Sequence, residues 1–419
     1  MFSDGKKPRD LFAILMDLPL IRDKETRDAL LEGLSGDLLE SLEPRPSRTR
    51  PDLLKIIKRV KSWPEMQDGT RQIDILVANA IKLAEKGTKL ESELREFLCK
   101  GQLVVQEEGS QELKALADQL PSEQASPTIG IITALPKEYA AVKVVLEKRK
   151  EHSPPGRGAG RRYLLGEVPA AGGDKHSLVL SLATGMGNNV AAIRATRLLE
   201  HFATITFIIM TGIAGGVPHP EKADEHVRLG DIVVSDQGGV VQYDFDKETG
   251  DATIHRHPPR PPSAILLESV RLLEAGEIEG SRPWLKFVDL IVNQLGITRP
   301  SEETDVLASS DDPEIQIPHP KDPQRVKGQP RIHFGSIASA NKLLKNPVKR
   351  DALRDKFGVK AVEMEGSGIA DATWHHEVGY LVVRGVCDYC DSNKGDEWQS
   401  YAAAAAAAYT RALLESMPC

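Results

Sequence analysis

Apolar positions over residues 1–100 recur at helical spacing. Leu11, Ile14, Leu15 and Leu18 share one helix face. Asp23 is placed to cap a helix through Ala29, Leu30 and Leu31 that Gly33 ends. Pro51 suits the first turn of a helix carrying Leu53, Leu54, Ile57 and Val60. A further helix over Gln72–Lys86 turns Ile73, Leu76, Val77 and Ala80 inward, and another covers Leu90–Leu98. The pattern predicts a small all-α helical bundle. Over 101–127 the periodicity lapses, and Gln, Glu, Ser and Pro collect in what reads as a linker.

From Thr128 the pattern changes to short apolar runs rich in β-branched residues, alternating with helical periods. Strands are expected at Ile129–Ala134, Ser177–Ala183, Thr206–Thr211 and Gly230–Ser235, and helices at Lys137–Glu147 and Asn189–Phe202. This alternation indicates an α/β fold with both sheet faces covered. The polar, Pro-rich stretches His255–Pro262 and Arg299–Pro330 flank helical patterns at Ile265–Leu273 and Trp284–Leu295. Together, 255–330 reads as an insertion over the core. The chain ends in an Ala-rich helix, Trp398–Leu414, whose Ala402–Ala408 run reads as a packed terminal helix.

Composition narrows the class. The 419 residues allow two to three domains. Aromatic residues are only 5%, so the cores are aliphatic. A net charge of −7 argues against a dedicated nucleic-acid binder, but leaves room for a small anion if basic residues gather locally. Four cysteines in a chain of this length are not a disulfide framework and point to a reducing, cytoplasmic compartment. No apolar run reaches the roughly 18 residues of a membrane span. Lys6, Lys7 and Arg9 precede the apolar stretch Leu11–Ile21, but Asp17 interrupts it, so it reads as an amphipathic helix and not a signal peptide.

Three groups of residues suit chemistry. Gly-rich turns are expected at Thr184–Asn189, at Thr211–Gly216 and around Gly335, each after a strand, where backbone N–H groups can approach an anion or a sugar. A tight strand-to-helix turn explains each equally well. In Ala361-Val-Glu-Met-Glu-Gly366, Glu363 and Glu365 alternate on an extended segment and face one side, either toward a site or toward solvent. In Val382-Val-Arg-Gly-Val-Cys-Asp-Tyr-Cys-Asp391, Arg384, Asp388 and Asp391 follow an apolar strand. Cys387 and Cys390 form a lone CxxC with no second ligand pair, so neither a metal nor a cofactor is expected.

In order, Ile129-Gly-Ile-Ile-Thr-Ala-Leu-Pro-Lys-Glu138, Gly185-Met-Gly187, Thr211-Gly-Ile-Ala-Gly-Gly216, Gly230–Asp236, Val362-Glu-Met-Glu365 and Val383-Arg-Gly-Val-Cys-Asp388 resemble the nucleoside phosphorylase/nucleosidase superfamily. They are most similar to its methylthioadenosine/S-adenosylhomocysteine nucleosidase branch. The resemblance covers 128–419 and implies a mixed sheet flanked by helices. Position by position it implies that Glu138 activates water, Asp388 donates a proton toward purine N7, and Glu365 binds the ribose hydroxyls. Met364 would pack near the ribose, and Arg384 would orient groups around the water. Thr184, Gly185, Gly187, Ile213, Ala214, Gly215 and Glu363 would line sugar and base. Ser339, Leu343 and Leu344 would hold adenine. Ile213 and Cys387 each stand where the family usually has serine. A homodimer or higher homo-oligomer is also implied, with Tyr243 in the loop to Asp246 as a contact to the neighbour and the site.

Residues 1–100 resemble bacterial effector-associated domains, small helical adaptors that recruit partners like-with-like. The match rests on Asp28–Gly33, Arg48–Leu54 and Lys86–Leu94. The combination implies an adenine nucleotide or nucleoside N-glycosidase acting in antiviral defence, with ATP as the expected substrate. A triphosphate needs local positive charge, for which Arg161, Arg162, Lys175, Arg331 and Lys342 are candidates. Phosphorolysis, methylthioadenosine-type salvage and a non-catalytic nucleotide sensor are the competing readings.

Overall fold

The protein is seen in a computed structural model that describes residues 11–42, 49–61, 71–84, 88, 90–95, 127–154, 161–248, 253–255, 260–391 and 395–419. The expected linker at 101–127 therefore lies outside the described residues except for Pro127, as do Lys6, Lys7, Arg9 and Cys99. The chain divides into two compact units, Met1–Gln124 and Ala125–Cys419.

In the first unit the helices are α1 (Leu11–Leu15), α2 (Lys24–Ala29), α3 (Gly36–Leu42), α4 (Thr49–Lys61) and α5 (Gln72–Leu83). Residues 90–95 are helical as well. Leu11, Leu15, Leu38, Leu53, Ile56 and Leu76 are buried. Arg27 is buried with them and pairs with Asp52 at 2.8 Å. Asn79 donates to the carbonyls of Leu30 and Glu32 and so ties α5 to the end of α2.

The second unit contains β1 (Ile129–Thr133), α6 (Pro136–Val144), β2 (Glu147–His152), β3 (Tyr163–Pro169), β4 (Lys175–Leu182) and α7 (Asn188–His201). There follow β5 (Phe207–Gly216), β6 (Ile232–Gln242), β7 (Asp246–Glu248), β8 (Thr253–His255), α8 (Ala264–Ile278) and α9 (Trp284–Leu295). Next come β9 (Leu307–Ala308), β10 (Gln316–Ile317), β11 (Ile332–Ser339), α10 (Pro347–Phe357), β12 (Ala361–Glu363), α11 (Gly366–His375), β13 (Gly379–Asp388) and α12 (Gln399–Ser416). The main sheet runs β12-β11-β6-β13-β5-β1-β4-β3-β2. It is mixed: β1, β4, β5 and β13 pair in parallel, whereas β13 runs antiparallel to β6, and β3 to both β2 and β4. β12 also pairs antiparallel with β5, which closes β12, β11, β6, β13 and β5 into a ring.

The central strands are buried on both faces, so apolar runs such as Ile129–Ile132 and Tyr380–Val383 mark them, although β13 goes on to carry Arg384 and Asp388. β2 (Glu-Lys-Arg-Lys-Glu-His) is a charged edge strand and carries no apolar signal. Helix α12 buries its whole Ala402–Ala408 run against β13 and β5. The Ala402 backbone stands where a side chain on Gly385 would be, so small residues on both sides bring helix and strand together.

One expectation changes. Thr211–Gly216 is the second half of β5, and Gly335 lies inside β11, so neither is a turn. None of the described residues of 255–330 lines the cleft described below. α8 and α9 instead place Leu266, Val270, Trp284, Phe287 and Ile291 in the main core, because those apolar faces need burial.

Candidate active site

A cleft of about 560 Å³ opens where β1, β5 and β12 end. Its walls include Ala134, Leu135, Glu138, Ile213, Ala214, Gly215, Glu363, Met364 and Glu365.

Glu138 is the third residue of α6, which Pro136 starts. The carboxylate folds back onto the helix entrance, where Oε2 accepts the N–H groups of Ala134 and Leu135, each at 2.8 Å. Oε1 accepts Ile213 N–H from β5 at 2.8 Å. Burial raises its pKa above the ordinary carboxylate value, opposed by Arg384 and these three N–H groups.

Arg384 lies behind the cleft wall and is fully buried. Its Nη2 donates to Glu363 Oε2 and, at 3.2 Å, to Glu365 Oε2. Glu363 also accepts the N–H groups of Glu365 and Gly366 at the start of α11. Gly187 N–H donates to Glu365 Oε1 at 3.0 Å. Burial pushes the Glu365 carboxyl up to about 7; Arg384 opposes that rise, and the neighbouring Glu363 adds to it. The buried guanidinium hydrogen-bonds Glu363 and Glu365 and acts on Glu138 through its charge alone. Burial in a low dielectric and the nearby negative charge both favour the protonated form of Glu365.

The two acids at the end of Val-Glu-Met-Glu do not alternate on one strand. Glu363 ends β12 and Glu365 immediately precedes α11, yet both reach Arg384 because the chain turns between them.

Asp388 ends β13, opposite Gly215 in the register with β5. It is buried and is not among the cleft-lining residues. It borders a smaller cavity of about 120 Å³ that shares Gly395 with the main cleft. Its Oδ1 accepts Cys390 N–H at 2.9 Å, and Cys387 Sγ lies 3.2 Å from Oδ2. Cys390 stands at the cleft edge with φ +55.

Several other expected residues lie elsewhere. Met186 reaches the cleft, but its neighbours Thr184, Gly185 and Gly187 do not line it. The Ser339 hydroxyl is buried: it donates to Asn188 and accepts Ser367 N–H, so it organises the α7 and α11 entrances. Tyr243 is buried in a secondary apolar cluster, with its hydroxyl toward the Lys342 carbonyl. Of the basic candidates only Lys342 lines the cleft, beside Leu343 and Leu344. Arg161 and Arg162 lead into β3 near the β2 edge, Lys175 faces Glu147 and Glu167, and Arg331 is engaged by Asp322 and Gln324. Local ion pairs and sheet position thus take these four out of the cleft.

Lys345, Asp396 and Gln399 also line it, and sequence reasoning did not single them out. For Lys345 the signal is its place three residues after Lys342, in the same run as Leu343 and Leu344. Gln399 accepts from Lys137 Nζ at 2.6 Å, a contact between distant parts of the chain that no local pattern announces. Among the described residues no group of three or more His, Cys, Asp or Glu is placed to hold a metal, and no helix is long and apolar enough to cross a membrane.

A profile described as the phosphorylase superfamily matches residues 128–415. A nucleotide-binding leucine-rich repeat (NLR)-like protein of Hyaloscypha variabilis is 31% identical over 68% of this chain and 29% of its own length. A 5'-methylthioadenosine/S-adenosylhomocysteine nucleosidase of Mycobacterium tuberculosis is 29% identical over 70% of this chain and 97% of its own. The ATP nucleosidase Cap17 of Escherichia coli is 27% identical over 69% of this chain and 51% of its own. The chain thus spans less than a third of the fungal relative and about half of Cap17. Among solved structures, an S-adenosylhomocysteine nucleosidase of Streptococcus pyogenes shares the fold at a TM-score of 0.50 and 22% identity, over 71% of this chain and 100% of its own.

Proposed function

Because the chain belongs to the phosphorylase superfamily through residues 128–415, we propose that it is an N-glycosidase that hydrolyses adenine nucleotides or nucleosides and releases adenine. One observation carries the reading: Glu138, Glu363 and Glu365 line a single cleft, and buried Arg384 hydrogen-bonds the last two.

The C1′–N9 bond breaks with its electron pair moving into the purine. Asp388 gives its proton to N7, so the base leaves neutral. Water adds to C1′ and its proton passes to Glu138, whose affinity for protons burial raises above that of an ordinary carboxylate. Glu365 accepts from the ribose hydroxyls and favours positive charge developing on the sugar, as in glycoside hydrolysis.

Lys342 and Lys345 line the same cleft and supply the positive charge that 5′-phosphates need. They support a nucleotide, and ATP first, since a relative of this chain bears the name ATP nucleosidase. A second reading has its own support: Met186, Leu343, Leu344 and Met364 give the cleft apolar surface that suits an alkylthio group. Incubating the protein with ATP, ADP, AMP, adenosine and methylthioadenosine, with and without phosphate, and identifying products by mass spectrometry decides between them. Free adenine without phosphate is expected. No base from any compound refutes the enzyme, and an absolute phosphate requirement makes it a phosphorylase.

The resemblance of residues 1–100 to effector-associated domains supports a role as an antiviral effector that recruits a protein partner like-with-like and works as a homo-oligomer. Deleting residues 1–100 is expected to abolish protection of infected cells while leaving adenine release intact.

A further inference from the structure

The strand end that carries Asp388 is gripped from behind by a segment outside the cleft. Tyr389 follows Asp388, and the chain turns at Cys390, whose N–H binds Asp388 Oδ1. The position of that turn therefore sets the position of the carboxyl. Tyr389 is buried, and its hydroxyl donates to Asp305 Oδ1 at 2.5 Å. Its carbonyl accepts from Arg350 Nη1 at 2.8 Å.

Asp305 is itself held. Its Oδ2 accepts from Arg228 Nε at 2.6 Å, and its carbonyl accepts from His319 Nε2 at 2.8 Å. Asp305 and His319 both belong to the segment 255–330. Thr304 and Val306 border the small cavity together with Asp388 and Tyr389. Burial, with the Asp305 carboxylate alongside, holds the Tyr389 phenol well above its ordinary pKa, so it remains a donor at every working pH.

We propose that Asp305 and Tyr389 are positioning residues for the glycosidic reaction: the segment 255–330 acts through them to hold Asp388 where it can protonate the leaving purine. This rests on the N-glycosidase reading above. A brace of this kind acts on the acid step and not on substrate affinity.

The test compares Asp305→Asn, Tyr389→Phe and their double variant with wild type, on the adenine compound that wild type hydrolyses fastest and on its N7-methylated counterpart. An N7-methyl purine already carries the positive charge and leaves without a proton from Asp388. Each single variant is expected to lose about tenfold in kcat on the parent compound, with KM within about twofold, and the double variant to lose little more than either single. On the N7-methylated compound the loss should shrink to about twofold or less. Equal losses on both compounds, or a loss carried by KM, overturn the proposal. If wild type rejects the methylated compound, the double-variant comparison decides, and additive losses overturn it. If wild type releases no base from any compound, it is the N-glycosidase reading that fails.

Discussion

Arg384 stands directly opposite Gly212 in the parallel β5–β13 register, and a methyl group on Gly212 would occupy the space of the Arg384 guanidinium. It would press on the Glu138 carboxylate as well. Gly212→Ala is therefore expected to destabilise the protein by about 1–3 kcal/mol and to reduce adenine release, since backbone and a fully buried cation cannot both give way. Urea unfolding followed by circular dichroism measures the first effect. An unchanged midpoint and unchanged activity would show that the guanidinium has room that the packing denies.

Removing the proton donor or the base tests the assigned roles. Asp388→Asn and Glu138→Gln keep shape and remove proton transfer, so each should lower kcat by about 10²–10⁴ with a small change in KM. Single-turnover release of adenine reads this out. Full activity in either variant would remove that residue from the mechanism.

The raised pKa of Glu365 gives stability a definite pH dependence. Its carboxyl titrates near the ordinary 4.5 when unfolded and at about 7 when folded. Below 4.5 both states hold the proton. Between 4.5 and about 7 the unfolded chain releases it and the folded one does not, so this group's contribution to stability falls as pH rises through that window. Glu365→Gln should flatten the fall, measured as the difference between the wild-type and variant melting curves from pH 4.5 to 7.5. A constant difference across that range would place the proton elsewhere.

Replacing the cleft lysines separates the 5′ groups. Lys342→Ala with Lys345→Ala should raise KM for ATP by at least about tenfold and leave methylthioadenosine nearly unaffected, since a charge-assisted phosphate contact contributes about 1.5–3 kcal/mol. Equal effects on both compounds would remove the lysines from phosphate recognition.

The central strands β1, β4 and β13 were legible because burial on both faces demands an apolar run in each, at Ile129–Ile132, Leu178–Leu180 and Tyr380–Val383. Edge strand β2 was not, because its charges face water. The glycines at 211–216 looked like a turn, since local sequence reports only that side chains are missing. Their reason lies across the sheet: Gly212 makes room for Arg384 and Glu138, and Gly215 for Cys390 and Asp388. Likewise 255–330 was visible as extra length, but nothing local showed that its helices join the core or that Asp305 reaches Tyr389.

Sequence alone determined which residue types were present and in what order: Glu138, the Val-Glu-Met-Glu pair, and Arg384 four residues before Asp388. Motif and period are local properties, and they survive without coordinates. The tertiary structure decided that Glu363 and Glu365 share one buried guanidinium, that Asp388 borders a small cavity adjoining the cleft, and that only Lys342 among the expected basic residues lines the cleft. Those outcomes depend on strand register and on burial, which bring residues far apart in the chain within hydrogen-bonding distance and shift their proton affinities together.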